Sequence, residues 1–320
     1  MANIPEVDAS CPLFFVINAA SGHNDPDATR RVIEQTLSAS GRAGELLYAA
    51  PDELANVASK GCAAAKAKGS AVVAVGGDGT INTVAQAAYA ESCPMGVLPQ
   101  GTFNYFARTH GIPIDTAGAM QTILNATPVP VQVGLINDQV FLVNASVGLY
   151  PELLQDREAY KARFGRSRLV AFAAALVTLL ARHRQLYLRI ERSTGVREVK
   201  TPTLFVGNNR LQLEQVGLAE AQALDEGCIA AVMLRPIGSL AMLALLFRGA
   251  FGSLGEADTV ESFKFHHMLV TPSAARHGRK VKVAFDGELS QMRAPLDFRV
   301  APKPLFLLKS DVIQPKRDSV

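Results

Sequence analysis

Residues 71–82 read Ala-Val-Val-Ala-Val-Gly-Gly-Asp-Gly-Thr-Ile-Asn, and this stretch decides the fold. A β-branched apolar run ends at three glycines around Asp78, and a helical spacing of apolar residues follows from Ile81. A strand that leads through a glycine loop into a helix presents N–H groups and a positive helix end to a phosphate. A carboxylate there would repel phosphate unless a divalent cation lies between them or the carboxylate acts as a base. The stretch therefore favours phosphoryl transfer from a nucleotide.

The composition describes a globular chain without the charge of a nucleic-acid-binding protein. Its 320 residues are 48% hydrophobic and 19% charged, which allows a sizeable core and, by length, two domains. The formal net charge of +3 gives no case for a nucleic-acid partner. The four cysteines lie far apart without metal-ligand spacing, as is typical of free thiols in a reducing cytoplasm.

No segment has the pattern of a signal peptide or of a membrane span. The longest apolar runs, Leu169–Ala181 and Leu240–Phe247, are shorter than the roughly 20 residues that a spanning helix needs. We therefore expect a cytoplasmic protein that is soluble or peripheral at the inner membrane surface. Basic residues flank the first run and fit either the solvated ends of a core helix or contact with anionic lipid. They are Arg157, Lys161, Arg163, Arg166, Arg168, Arg182 and Arg184.

Strand and helix patterns alternate over the first 125 residues or so, which predicts an α/β domain with a doubly wound, mostly parallel sheet. The predicted strands are Leu13–Ile17, Glu45–Ala49, Ala71–Val75 and Met95–Leu98. In such sheets ligands bind at the carboxyl ends of the strands. Polar glycine turns follow residues 17, 75 and 98, so all three fall at such ends.

The pattern changes near Pro128, where short β-rich segments separated by turns begin. This predicts a second domain that is an antiparallel β-sandwich. The domain boundaries are residues 12–127 for the nucleotide-binding domain and 128–303 for the sandwich. A long helical stretch over residues 169–184 interrupts the β pattern.

Four polar turns have both a functional and a purely structural interpretation. Gly101-Thr-Phe-Asn104 can bring its backbone close to a ligand or form a plain turn, and the same holds for Asn18 to Gly22. Asp286-Gly-Glu288 follows an alternating strand, so it is either a hairpin turn or a pair of carboxylates that accepts a proton. Asp225-Glu-Gly227 is either a solvated turn or a cation site.

Taken together, these residues resemble the diacylglycerol kinase catalytic-domain family of lipid kinases, over about residues 12–308. The resemblance also rests on Asn144-Ala-Ser-Val-Gly148 and Val206-Gly-Asn-Asn209. It implies an α/β domain followed by a β-sandwich domain, with residues 304–310 forming a strand that returns to the first domain. It also implies ATP and Mg²⁺ as cofactors.

The resemblance assigns roles residue by residue. Glu288, with Asp286, matches the region of the catalytic base. Asp78 would organise Mg²⁺, and Glu226 with main-chain carbonyls near Ala223 and Cys228 would hold a structural metal. The residues that would line the nucleotide site are Asn18, Ser21, Gly22, Gly76, Gly77, Asp78, Gly79, Thr80, Asn82, Gly101, Thr102 and Asn104.

The chain departs from the family pattern at three points. The family usually has Gly-Thr-x-Asn-Asp, where this chain has Tyr105 in place of the last aspartate. The metal turn usually reads Asp-Gly, where this chain has the longer Glu226. A threonine often ends the second strand, where this chain has Tyr48 and Ala49.

The sequence therefore predicts an ATP- and Mg²⁺-dependent kinase that phosphorylates a lipid hydroxyl at a membrane surface. The predicted acceptor is diacylglycerol or a related lipid. An NAD kinase shares the glycine loop, but its later dinucleotide-binding signature is absent here. A non-catalytic protein that binds nucleotide or lipid is the alternative from another class. A sheet edge of the second domain leaves homodimer formation open.

Overall fold

The chain divides into two compact units in this computed structural model. Unit 1 comprises residues 1–132 and 302–320, and unit 2 comprises residues 133–301. The structure describes residues 4–19, 26–148, 151, 185–236, 238, 257–273 and 280–310. Within these ranges no helix is long and apolar enough to cross a membrane. The helix predicted over residues 169–184, with its basic flanks, lies outside the described residues.

Unit 1 is built on a six-stranded sheet with the order β2-β1-β3-β4-β18-β5. Its strands are β1 (Leu13–Asn18), β2 (Gly44–Ala49), β3 (Val72–Gly76), β4 (Met95–Pro99), β5 (Thr127–Val131) and β18 (Leu305–Lys309). All pairs are parallel except β18 with β5. Strands β3 and β4 are buried along their whole length, which accounts for their continuous apolar sequence.

Five helices accompany this sheet in the described part of unit 1: α1 (Pro26–Ser40), α2 (Leu54–Ala67), α3 (Asp78–Glu91), α4 (Tyr105–Thr109) and α5 (Thr116–Asn125). Small residues let α2 approach the sheet closely. A Cβ added at Gly61 would lie 3.2 Å from Val16 of β1. The Asp115 side chain accepts the N–H of Gly118 at 2.7 Å and so caps the start of α5.

The order of the strands places a topological switch point between β1 and β3. The chain runs from β1 outward to β2 and then returns to β3 on the other side of β1. Residues Ile17 and Val75 are register partners, so Asn18 and Gly76 end two neighbouring strands at the same edge. Open α/β sheets bind their ligands at such an edge.

In its described residues, unit 2 contains two six-stranded antiparallel sheets. The first has the order β10-β9-β14-β17-β6-β7 and the second β13-β12-β11-β8-β15-β16. The strands of the first are β6 (Gly134–Ile136), β7 (Gln139–Phe141), β9 (Leu186–Arg192), β10 (Gly195–Thr201), β14 (His267–Pro272) and β17 (Leu296–Val300). Those of the second are β8 (Asn144–Gly148), β11 (Thr203–Gly207), β12 (Ile229–Leu234), β13 (Val260–Phe265), β15 (Lys280–Phe285) and β16 (Glu288–Arg293).

One hydrophobic core lies between these two sheets. Ile190 and Phe298 of the first sheet pack in the same buried cluster as Val147 and Val206 of the second. The opposite face of the second sheet is covered by α6 (Arg210–Gln215) and a 3₁₀-helix (Ala219–Glu226), in a separate cluster around Leu213. The predicted fold class, a parallel α/β domain followed by a β-sandwich, is confirmed.

One strand differs from its predicted position. The sequence pattern assigned residues from 128 onward to the sandwich, whereas β5 (Thr127–Val131) lies in the sheet of unit 1. The reason is β18, which returns to this sheet and pairs with β5 along its length, with Leu307 opposite Val129. A pairing between segments so distant in sequence has no local signal.

Candidate functional site

The glycine loop of residues 76–80 joins β3 to α3 at the switch point. Strand β3 ends at Gly76, and α3 begins at Asp78 with Gly77 as its extended N-cap residue. The first turn of a helix carries N–H groups that have no partner within the helix, and the helix dipole adds positive potential there. Gly79 and Thr80 lie in this first turn, so the loop has the backbone arrangement of a phosphate site.

Asn18 and Thr80 meet across this edge of the sheet. The Asn18 Nδ2 group donates a hydrogen bond to Thr80 Oγ1 at 3.0 Å, and Thr80 is only 4% exposed. A Cβ added at Gly76 would lie 2.6 Å from the Thr80 side chain. The glycine therefore makes room for a threonine that ties the loop to β1.

The second glycine loop, residues 101–104, touches the first. A Cβ added at Gly101 would lie 3.0 Å from Gly77 Cα and 2.8 Å from Asn104 Oδ1. The Asn104 side chain accepts from Gly101 N at 2.9 Å and donates to Gly101 O at 2.8 Å. Asn104 adopts a left-handed φ of 50°, which asparagine tolerates better than most residues. The backbones of two motifs that are about 25 residues apart in sequence thus form one continuous surface.

Asp78 joins the two loops through its carboxylate. Its Oδ2 atom accepts the N–H of Asn104 at 3.0 Å, at the start of α4. Burial raises the pKa of Asp78 above its ordinary value, and the N–H groups of Asn104, Phe106 and Tyr105 oppose that shift. The other oxygen, Oδ1, is buried and has no hydrogen-bond partner among the described residues.

The orphaned oxygen of Asp78 is the observation that fits a magnesium ion. A buried carboxylate oxygen without a partner is costly unless a cation or a donor is supplied. Mg²⁺ prefers oxygen ligands and is commonly held by one or two carboxylates together with substrate phosphates. Asp78 is thus suited to hold Mg²⁺ beside the glycine loop, and the described residues contain no group of three acidic, histidine or cysteine side chains that could hold a metal by themselves.

The remaining residues predicted for the nucleotide site fall into three groups. Asn82 is 7% exposed within α3, and its side chain accepts a hydrogen bond from Gln86 at 3.2 Å. It therefore supports the helix from within. Thr102 is exposed beside the loop surface, where its hydroxyl is accessible to a ligand. Ser21 and Gly22 lie outside the described residues.

In unit 2, Asp286 holds backbone rather than standing free. The two residues Asp286 and Gly287, with φ of 46° and 86°, form the turn between β15 and β16, as the hairpin interpretation predicts. The carboxylate of Asp286 accepts three N–H groups, from Leu142 at 2.7 Å, Val143 at 2.8 Å and Asn144 at 3.0 Å. Because its oxygens already fix the chain before β8, this arrangement favours Glu288 over Asp286 as the base, and the catalytic role of the pair stays a prediction.

Glu288 offers a carboxylate of the opposite kind. It begins β16, it is exposed, and it pairs in register with Phe285 across the hairpin. Its side chain makes no hydrogen bond or ion pair with the rest of the described chain. A carboxylate in this state can accept a proton from a hydroxyl, so Glu288 is the base candidate of unit 2.

A buried amide network beside Asp286 was not assigned a role from the sequence. Asn144 is 4% exposed and donates to Gln212 Oε1 at 3.0 Å, while its own Oδ1 has no partner in the described structure. Asn208 donates to Leu142 O at 3.3 Å, and Asn209 caps α6 by accepting from Gln212 N at 3.0 Å. These asparagines lie in two of the segments on which the family resemblance rests, and that position is the sequence signal that could have identified them.

The turn predicted to hold a structural metal is occupied by internal cations. Glu226 is in contact with the Lys264 ammonium, and Asp225 Oδ2 is 2.7 Å from the Arg210 guanidinium. The Ala223 carbonyl accepts the N–H of Cys228 at 3.1 Å. A divalent cation at this turn would face an ammonium within a few ångströms, where like charges repel. The residues of this turn therefore do not fit the predicted cation, and Lys264 is the reason.

A cavity elsewhere in unit 1 contains none of the predicted site residues. It has a volume of about 350 Å³ and is lined by the ends of α2 and α3, the Lys66–Glu91 ion pair, Cys93 and Phe306. These residues lie at the amino ends of β3 and β4. The glycine loops lie at the carboxyl ends, so the cavity is separate from the candidate site.

Comparison with known proteins places the glycine loops in a known domain. The model of the diacylglycerol kinase catalytic domain matches residues 12–136, a range that contains both loops. A diacylglycerol kinase of Bacillus subtilis (strain 168) is 42% identical over 88 residues, which are 27% of this chain and 29% of that protein. A Pseudomonas aeruginosa (strain UCBPP-PA14) protein named "Probable lipid kinase YegS-like" is 28% identical over 240 residues, 73% of this chain and 74% of that protein.

The similarity to the first curated relatives is local, since the matches span 21% to 29% of their length. The structural similarity is wider. A structure described as "a diacylglycerol kinases from Bacillus anthracis str. Sterne" has a TM-score of 0.66 at 18% identity, over 94% of this chain and 97% of that chain. Another structure from that organism reaches 0.70 at 20% identity over the same shares. At such identity the likeness establishes the fold.

Proposed function

We propose that this chain is an ATP- and Mg²⁺-dependent lipid kinase, because residues 12–136 match the model of the diacylglycerol kinase catalytic domain. It transfers the γ-phosphoryl group to the hydroxyl of diacylglycerol or a related lipid at a membrane surface. The observation that carries the proposal is Asp78, whose carboxylate joins two glycine loops while keeping one buried oxygen without a partner. That arrangement suits a cation held between a carboxylate and a polyphosphate.

The backbone of the two loops would bind and orient the polyphosphate. The N–H groups at the amino terminus of α3 would donate hydrogen bonds to the phosphate oxygens. The close approach of Gly77 and Gly101 would hold the two loops together around the polyphosphate. Mg²⁺, when bound at Asp78, supplies neutralisation of phosphate charge. Positioning and charge neutralisation account for most of the catalysis in phosphoryl transfer.

Glu288 would take the proton of the acceptor. As the lipid oxygen forms its bond to the γ-phosphorus, the bond from that phosphorus to the β,γ-bridging oxygen breaks and ADP leaves. The hydroxyl proton passes to the Glu288 carboxylate, which has no competing partner in the described structure. Asp286 has a positioning role, because it fixes residues 142–144 beside the same hairpin.

The test is transfer of labelled γ-phosphate from ATP with Mg²⁺ into detergent-dispersed lipids. The panel contains diacylglycerol, monoacylglycerol, sphingosine, ceramide and polyprenol, with NAD as a non-lipid control. Label in a lipid that is lost when EDTA is added supports the proposal and identifies the acceptor. Label in NAD alone, or binding of ATP without transfer to any lipid of the panel, contradicts it.

A further inference from the structure

An aromatic pair lies on the second glycine loop, and the polyphosphate chemistry makes no use of it. Phe103 is 56% exposed, so more than half of its surface is open to a ligand. Its ring is parallel to that of Tyr105, with 5.7 Å between the centroids and 6° between the planes. The pair therefore presents a flat aromatic surface beside the glycine loop.

The loop that carries this pair is held rigidly. Asn104, between the two aromatic residues, is 2% exposed and makes two hydrogen bonds to Gly101. The backbone N–H groups of Asn104 and Tyr105 both act on the Asp78 carboxylate. The backbone that carries the two rings is therefore fixed before any ligand arrives. Binding to a preorganised ring costs less entropy than binding to a mobile one.

The aromatic pair is also close to the phosphate loop. Gly101 contacts Gly77 directly, and Phe103 follows Gly101 by two residues, a reach of at most about 7 Å. A nucleoside triphosphate whose phosphates lie on the first loop extends further than that. The nucleotide is therefore long enough for its base to reach the Phe103 ring while its phosphates lie on the first loop.

We propose that Phe103, supported by Tyr105, is the surface on which the nucleotide base stacks. This inference rests on the proposed function, since it assumes a nucleoside triphosphate at the glycine loops. Stacking on an aromatic ring tolerates any base, because every base has a π-face. The site would accept ATP and GTP with similar affinity, and pyrimidine nucleotides with their smaller rings more weakly.

The test compares two ligands that share the phosphates and differ in the base. Binding of ATP and of inorganic triphosphate is measured with Mg²⁺ for the wild type and for Phe103→Ala, Phe103→Tyr and Ile114→Ala. Ile114 is the matched control, because it is equally exposed at 56% in the same unit and lies outside both glycine loops. Phe103 is exposed, so its replacement leaves the melting temperature within about 1–2 °C.

We expect Phe103→Ala to weaken ATP binding by about tenfold while triphosphate binding changes by less than twofold. We expect Phe103→Tyr to bind ATP with the wild-type affinity, and Ile114→Ala to bind both ligands with the wild-type affinities. In turnover, Phe103→Ala raises the KM for ATP more than it lowers kcat.

Two results would contradict the role of Phe103 as the surface on which the base stacks and would leave the proposed phosphoryl transfer unaffected. One is unchanged ATP affinity together with weaker binding to vesicles of diacylglycerol in phosphatidylcholine, which would make Phe103 a lipid contact. The other is an equal loss of ATP and triphosphate, which would make it a support of the loop. If the wild type binds neither ATP nor triphosphate, the proposed function is contradicted, and the stacking role of Phe103 is contradicted with it.

Discussion

Asp78 of unit 1 and Asp286 of unit 2 are both carboxylates that accept backbone N–H groups at a turn, yet they end in different states. The two oxygens of Asp286 accept hydrogen bonds from the N–H groups of Leu142, Val143 and Asn144. Asp78 uses Oδ2 for Asn104 and leaves Oδ1 buried without a partner in the described structure. The first arrangement stabilises the fold, whereas the second leaves a buried oxygen that the proposed Mg²⁺ would pair. The comparison therefore proposes a structural role for Asp286 and a functional role for Asp78.

The largest expected effect is that of Asp78→Asn on phosphoryl transfer. Asparagine still accepts the Asn104 N–H, but it removes the charge that would hold Mg²⁺. We expect kcat to fall by about 10²–10³-fold, as when a single electrostatic group is removed from a transition state. The measurement is turnover at saturating ATP and Mg²⁺. Glu91→Gln, which removes an exposed carboxylate of the same unit, serves as the control.

Asp286→Asn should affect stability instead. An amide replaces one oxygen with an NH₂ group that cannot accept from Leu142 or from Val143 and Asn144, so at least one buried N–H loses its partner. We expect the free energy of unfolding to fall by about 1–3 kcal/mol, which lowers the melting temperature by several degrees. Asp138→Asn is the matched control, since that side chain is 95% exposed. Equal melting temperatures for the wild type and Asp286→Asn would contradict the structural role.

His110 supplies a pH dependence of stability. It packs edge-to-face on Phe106 with 4.6 Å between ring centroids, and burial together with the charge of Lys309 lowers its pKa from 6.5 to about 3. Between these two values the unfolded chain binds the additional proton, so stability is complete above pH 6.5 and falls as the pH decreases. At pH 5 the loss from this residue is about 2 kcal/mol.

His110→Phe keeps the ring and removes the titration. Chemical denaturation of both proteins at pH 7 and pH 5 measures the effect. We expect the wild type to lose more stability than His110→Phe over this interval. An identical loss in the two proteins would show that His110 binds its proton equally well in the folded state.

The smallest expected effect concerns the turn of Glu226. Because Lys264 and Arg210 already neutralise its carboxylates, the melting temperature without nucleotide should be the same in EDTA and in MgCl₂, within about 1 °C. Lys264→Glu places two carboxylates together and should create a stabilisation by Mg²⁺ or Ca²⁺ that the wild type lacks. Lys264→Met is the control. If the melting temperature of the wild type falls by several degrees in EDTA, the result would support a structural cation at this turn.

The glycine loops could be predicted because their signals are local and the topology does the rest. The apolar run before Gly76 defines a strand, and the ends of neighbouring parallel strands meet at one edge. The contact between Asn18 and Thr80 follows from that geometry. The same reasoning could place Gly101 near the loop, although its close approach to Gly77 depends on the folded path of both loops.

The acidic turns could not be assigned in this way, because the state of a carboxylate depends on partners that are remote in sequence. Asp286 is separated by 144 residues from Leu142, whose N–H it accepts. Glu226 is 38 residues from Lys264. Nothing near either acid in the sequence indicates these contacts, so a hairpin turn, a base and a metal ligand look alike. The return of β18 beside β5 was hidden for the same reason, and the sequence suggested it only through a family resemblance.

The most direct measurement compares Glu288→Gln with Asp286→Asn in the γ-phosphate transfer assay, normalised to the folded fraction of each protein. We expect Glu288→Gln to lose transfer by at least about 10²-fold while it melts at the wild-type temperature and still binds ATP. We expect Asp286→Asn to melt at a lower temperature but to retain most of the transfer per folded molecule. Full transfer by Glu288→Gln, with none by folded Asp286→Asn, would reverse the two roles and contradict the account.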